Sequence, residues 1–210
     1  MNFPFSLEEA SDGSLNGELI TADIAYAVDP WTQVSAILAL PFAHAVDFGT
    51  QSSFGDIGFE YGRRFGRDAT KGYFGIAPAI TLPTGNQDYG LGAGRVTIDF
   101  PILYQKDIAD LSLYTDLRYR LHGGDNGRSY WFWGVAGEQD ISERFSVGAE
   151  LFTATPSEES GPWAAGFNLG TNIALIGDTR FLFSIGRAFN REPKLTLYAG
   201  VQVLTRKEGQ

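Results

Sequence analysis

The chain has 210 residues, no cysteine and a formal charge of −9, which excludes a disulfide framework or cysteine-based zinc site and argues against nucleic acid as a partner. No apolar run reaches the ~18 residues of a membrane helix, and the longest, Val34 to Val46, is interrupted by Ser35, Pro41 and His44. The mean hydropathy of −0.11 resembles that of a water-soluble protein, but strands whose alternate residues face lipid and lumen cancel in any window average.

Residues 1–14 are polar and acidic (Glu8, Glu9, Asp12) and read as a tail or the remnant of a first strand. Met1-Asn2-Phe3-Pro4-Phe5 has neither the basic start nor the apolar core of a secretory signal. A membrane reading therefore expects a mature chain with an added Met, or a truncated gene start. The first clear run sets Ile20, Ala22, Ile24, Tyr26 and Val28 on one face, and Asp29-Pro30 turns it. The second places Val34, Ala36, Leu38, Leu40 and Phe42 together. The third sets Ile57, Phe59 and Tyr61 against Asp56, Gly58, Glu60, Gly62 and Arg64. The fourth sets Phe74, Ile76, Pro78, Ile80 and Leu82 against Tyr73, Gly75, Ala77, Ala79 and Thr81. After a loop at 84–95 come Val96, Ile98, Phe100, Ile102 and Tyr104. The sixth run alternates Leu111, Leu113, Thr115, Leu117, Tyr119 and Leu121 with Ser112, Tyr114, Asp116, Arg118, Arg120 and His122. The seventh (Tyr130, Trp131, Phe132, Trp133) is aromatic on both faces, so its orientation stays open. Four further runs follow, from Phe145, Phe167, Arg180 and Leu195.

Period-2 alternation identifies strands, and runs of roughly a dozen residues suit tilted membrane-crossing strands better than the usual five or six. Connections near 29–31, 66–71, 106–110, 138–143 and 176–179 are compact. Those near 48–54, 84–95, 122–128, 155–162 and 190–193 are mostly longer and richer in glycine, the asymmetry of outer-membrane barrels. The expected fold is an all-β, antiparallel transmembrane β-barrel of about 12 strands, because bacterial barrels favour even numbers and the visible runs fall one short. The missing strand is either absent or hidden in residues 1–14. Residues 15–205 read as one barrel domain and 206–210 as a C-terminal tail. Pro41, Pro78 and Pro101 oppose this reading unless they sit at bulges.

The barrel phase turns Asp23, Asp56, Glu60, Arg64, Asp99, Asp116, Arg118, Arg120, Glu150, Arg180 and Lys194 inward, where a charge avoids the ~2–4 kcal/mol of a midplane lipid-facing site. They make either a solute-admitting lumen or a salt-bridged filling. A hairpin turning at Ile108-Ala109 pairs Asp107 with Asp110, Asp99 with Arg118, Ile98 with Tyr119 and Tyr104 with Leu113. Tyr73, Tyr114 and Tyr198 offer a stacking path for aromatic solutes, or simple lumen filler. Trp31, Trp131, Trp133 and Trp163 lie near run ends and read as girdle anchors. His44 falls on the apolar face, and neither histidine supports a metal site.

Leu82-Pro83-Thr84-Gly85-Asn86, followed by Gly90-Leu91-Gly92-Ala93-Gly94-Arg95, resembles the outer-membrane family named for the meta-pathway of phenol degradation. Phe54-Gly55-Asp56-Ile57-Gly58-Phe59-Glu60-Tyr61 matches that family's strand opening, and Pro4-Phe5 with Glu8-Glu9-Ala10 its acidic start. The resemblance covers most of residues 15–205, with two departures: a strand too few, and Arg206-Lys207-Glu208-Gly209-Gln210 in place of a terminal aromatic. It implies a bacterial outer-membrane barrel among membrane lipid and lipopolysaccharide, passing small apolar or aromatic compounds, with no catalytic residue, metal or cofactor. The alternatives are a sealed structural barrel and an outer-membrane lipid hydrolase. The stretch from His122 to Ser129 faintly resembles outer-membrane phospholipase A, but Gly124 stands where that enzyme has its serine, so the histidine has nothing to activate.

Overall fold

A computed structural model describes residues 2–45, 49–123, 128–157, 161–190 and 193–204. Its strands are β1 (Asn2–Glu9), β2 (Leu15–Asp29), β3 (Thr32–Ala45), β4 (Gly49–Ser52), β5 (Ile57–Phe65), β6 (Tyr73–Ile76), β7 (Ala79–Leu82), β8 (Thr97–Ile108), β9 (Leu111–His122), β10 (Tyr130–Ser142), β11 (Phe145–Ala154), β12 (Ala164–Ala174), β13 (Thr179–Ala188) and β14 (Leu195–Val203). β4 and β5 are two lengths of one stave, both paired with β3. β6 and β7 are likewise two lengths of the next, each pairing with β5 and β8. The result is a closed antiparallel barrel of 12 strands. The strand that the alternation did not reveal is β1. It pairs with β14 over Asn2–Glu9 and with β2, joining the ends of the sheet. Part of the expected 48–54 loop is also strand, as β4 continues the pairing of β3.

The wall is inside out relative to a water-soluble domain. Among the described residues no large side chain is fully buried, while Tyr26, Val28, Phe74, Ile102 and Leu151 are 53–65% exposed on the outward phase. Water would make that surface very costly at ~25 cal/mol per Å², and lipid removes the cost. Strands of about 12 residues at ~3.4 Å each, tilted by about 45°, span roughly 29 Å, the thickness of a hydrocarbon core. The barrel is therefore a transmembrane one. Trp131, Trp133 and Trp163 are half exposed or more on this outer side.

Each awkward proline sits beside an interruption. Pro78 lies between β6 and β7, where its carbonyl accepts from Tyr61 N at 3.0 Å. Pro101 faces that same gap, because β6 ends opposite Ile102 and β7 begins opposite Asp99. Pro41 pairs with Glu18 at a bulge of β2, and its other side packs against Gly55, between β4 and β5. The missing N–H groups thus fall where the ladder is already broken.

The hairpin between β8 and β9 differs from expectation by one turn position. Ile108 pairs with Leu111 and the turn is Ala109-Asp110, so Asp99 faces Arg120 and Arg118 faces Pro101. Ile98 meets Leu121 and Tyr104 meets Thr115. The register slips by two residues, which leaves every face unchanged. The cause lies at Ala109, whose φ of 54° is the one positive φ among described non-glycine residues. Primed hairpin turns need such an angle, and alanine gives no sign that it will adopt it.

Compact turns (30–31, 109–110, 143–144) cluster at one end together with both described chain ends, and the longer connections at the other. Within the 66–72 turn, the Thr70 hydroxyl and then its amide donate to Asp68 at 2.6 and 3.0 Å, and hold its carboxyl below its usual range.

Candidate functional site: the barrel interior

The inward phase follows from the pairings. Even-numbered residues of β9 to β14 face the odd-numbered residues of β8 and β3 across the lumen. This settles β10: Tyr130 and Phe132 point in, Trp131 and Trp133 out. Near the long-loop end a space of about 300 Å³ is bordered by Glu8, Ser157, Pro193, Phe152 and Thr196. Below it a waist of about 330 Å³ is enclosed by Asp116, Arg118, Arg120, Tyr130, Phe132 and Glu150. A chamber of about 540 Å³ then reaches the compact-turn end between Glu60, Tyr73, Tyr114 and Trp31. A side chamber of about 280 Å³ holds Tyr198, Ser184 and Glu138. Glu150 borders all of these spaces.

At the waist, Arg120 grips Asp99 in a two-point pair, Nε to Oδ1 at 2.7 Å and Nη2 to Oδ2 at 2.8 Å. Its Nη1 donates to the Tyr130 hydroxyl at 3.3 Å. Arg118 Nη2 binds Asp116 Oδ2 at 2.5 Å, and the Arg118 guanidinium lies 5.8 Å from the Phe132 ring centre. The two-point Arg120–Asp99 pair fixes both of its side chains in place, while Arg118 and Asp116 share a single contact. Phe132 stacks on Phe152 at 6.1 Å, so one quadrant of the waist is aromatic.

Four glutamates are held by neutral groups instead. Glu18 accepts from the Thr21 hydroxyl and Glu138 from the Ser146 hydroxyl. Glu150 accepts from Asn168 Nδ2 at 2.8 Å, and Glu60 bonds Gln33 within electrostatic reach of Asp23, Asp99 and Arg118. Asp23 Oδ1, Asp116 Oδ1 and Arg118 Nε are buried without a protein partner among the described residues.

Of the remaining expected lumen charges, Arg64 lines the large chamber at its compact-turn end, whereas Asp56, Arg180 and Lys194 border none of these spaces. Asp56 is drawn to the long-loop end, where its carboxylate accepts from Gly85 N at 2.9 Å and Ala93 N at 2.7 Å. It staples the 83–96 loop, and Thr84 Oγ1 adds a bond to Gly55 O at 2.9 Å. Gly92 is required there, since a Cβ would stand 2.8 Å from the Gly85 backbone. Arg64 sits at the compact-turn end with its guanidinium 4.8 Å from Trp31 and 4.9 Å from Tyr73. Trp31 is thus an arginine platform, not a girdle anchor, and Arg67 approaches it at 5.6 Å. Arg180 and Lys194 are exposed at opposite rims.

Tyr73 and Tyr114 share the chamber of about 540 Å³, Tyr114 and Tyr198 the side one. Tyr73 is tied to Gln105 through its hydroxyl. The sequence reading missed Tyr130 and Phe132, because an all-aromatic run has no alternation, and Phe152, an apolar ring on the inward phase of β11. It also missed Glu138, whose partner is the adjacent-strand Ser146. The His122 backbone N–H, not its imidazole, donates to Ser129 Oγ at 3.3 Å. Residues 124–127 of that stretch, like the tail at 206–210, lie outside the described residues.

The geometry defines a class: a closed transmembrane β-barrel of the outer-membrane type, with a polar interior. No family model matches the chain, and no curated protein matches it by sequence. Among solved structures it is similar to an outer membrane channel from Pseudomonas putida F1, at 14% identity and a TM-score of 0.73 over 95% of this chain and 91% of that one. It is also similar to the KdgM porin in complex with disordered oligogalacturonate (9% identity, TM-score 0.66, 98% and 100% covered). The NanC porin follows at 9% identity and 0.64, with 97% and 99% covered. At these identities the likeness is one of fold.

Proposed function

We propose that the protein is a conduit of the bacterial outer membrane, through which small apolar or aromatic compounds pass by diffusion. One observation carries this reading: adjoining interior spaces, sharing Glu150 and neighbouring residues, run from Ser157 and Pro193 at one end to Trp31 and Arg64 at the other. A chamber of about 540 Å³ is within the range that holds a small organic molecule. Tyr73, Tyr114, Tyr130 and Phe132 supply ring faces along the way, on which an aromatic solute gains stacking without being trapped. The solved structures with this fold include an outer membrane channel and two porins, and the Leu82–Arg95 motif resembles the phenol meta-pathway family.

On this reading the long-loop end faces the exterior and the compact turns the periplasm, among lipid and lipopolysaccharide. Entry lies beside the 83–96 loop, which Asp56 holds as a fixed rim, and exit lies past the Arg64–Trp31–Tyr73 group. No residue is assigned a catalytic role. Liposomes containing the folded barrel should take up a neutral aromatic such as phenol or toluene faster than protein-free liposomes, with a larger difference for solutes of lower intrinsic permeability. Equal rates for every solute tried would refute the conduit and leave a sealed barrel.

A further inference from the structure

The interior has an imbalance of sign that the conduit reading does not itself require. The waist arginines are both engaged, Arg120 by Asp99 and Arg118 by Asp116. Glu18, Glu60, Glu138 and Glu150 have Thr21, Gln33, Ser146 and Asn168 as their partners, and none forms an ion pair among the described residues. Neutral donors fix a carboxylate in position without cancelling its charge. Arg63 and Arg64 also line the large chamber, Arg63 paired with Asp29, so these four carboxylates stand against one arginine, the net field along the lumen is negative, and low-dielectric walls focus it.

Position adds a second, separate observation. Glu150 borders the outer space, the waist, the large chamber and the side chamber. A solute crossing by way of these spaces passes this carboxylate. Its neighbours are aromatic on one side, with Phe132 and Tyr130, and small on the other, with Gly134 and Ala136. A charged group there faces the solute space, and the two arginines across the waist, Arg118 and Arg120, are held by their own aspartates.

We propose that the conduit is selective for cations, with Glu150 as the principal selecting residue and Glu60 as its second, so that small organic ammonium ions pass in preference to carboxylates of the same shape. This rests on the conduit reading and goes beyond it by assigning the sign of the preferred solute. Rings of acidic side chains set cation preference in pores generally. Here one carboxylate at a junction does the same for several branches.

The test is a reversal potential in a planar bilayer across a KCl gradient. The unaltered barrel should show a K+/Cl− permeability ratio of about five or more. Glu150→Gln should lower that ratio at least twofold, Glu60→Gln less, and the double variant should bring it close to unity. Glu150→Asp should keep most of the preference, which separates charge from packing. Liposome efflux should rank 2-phenylethylammonium above 3-phenylpropionate for the unaltered barrel and lose the ranking in the double variant. Ion current with a ratio of one or below, or a ratio unmoved by the double variant, would overturn the selectivity and leave the conduit standing. No current and no efflux from a barrel shown to be folded would overturn both.

Discussion

From β8 to β14 the strands pair almost without interruption, with a single register shift between Asp140 and Ser142. From β3 to β7 the pairing breaks twice, at residues 53–56 and at Ala77-Pro78. Both walls must satisfy every backbone group that faces the membrane, since lipid offers no partner. The continuous wall does so through its ladder, which leaves interior side chains to bind one another. The broken wall uses what lies nearby: Gly55 N donates to Ala39 O at 2.9 Å and Tyr61 N to Pro78 O at 3.0 Å. Two aspartates on the inward phase show the consequence. Asp99 faces the continuous wall and holds Arg120, whereas Asp56 stands at a break and holds the backbone of a loop.

The largest expected effect is on the continuous wall. Arg120→Ala leaves the Asp99 carboxylate, only 11% exposed, without its cation. Such a loss costs about 3–5 kcal/mol, which should appear as a lower urea midpoint for the compact, heat-modifiable gel form. Restoring that midpoint with Asp99→Asn in the same chain would show that the cost is the stranded charge.

On the broken wall the expected effect is smaller and local. Asp56→Ala removes two charge-assisted bonds at a solvent-facing end, about 2–3 kcal/mol. Protease cleavage within 83–96 should rise sharply while the urea midpoint shifts little. A midpoint shift as large as that of Arg120→Ala would mean that the two walls do not differ in this way.

The smallest effect belongs to the hairpin of the continuous wall. Ala109→Gly places the permissive residue at a φ of 54° and should stabilise by about 0.5–1 kcal/mol. A destabilisation would contradict the Ala109-Asp110 turn and the Asp99–Arg120 register built on it.

Much of this architecture was legible in the sequence, and the parts that were not have separate physical reasons. Alternation from Leu111 to His122 exposes both faces of β9, because lipid and lumen demand opposite chemistry. β1 was obscured because its inward residues Pro4, Ser6 and Glu8 look like an acidic tail, and its pairing with β14 spans nearly the whole chain. In β10 both environments accept rings, so the pattern loses its period. The hairpin register depended on which residue of Ile108-Ala109-Asp110 would take a left-handed angle, and none advertises it. Asp56 carried the correct phase for a lumen residue. Its actual partners, Gly85 and Ala93, lie 29 and 37 residues away and offer only backbone N–H.

The absence of native cysteine permits the most direct test of a hydrated, charged interior behind an apolar wall. Single cysteines are placed at successive positions of β11, Gly148→Cys to Phe152→Cys, and treated in bilayers with a water-soluble cationic thiol reagent while the current is recorded. The account predicts reaction and current block at 148, 150 and 152, with 149 and 151 unreactive. Reaction at 149 and 151, or block that ignores the alternation, would contradict it.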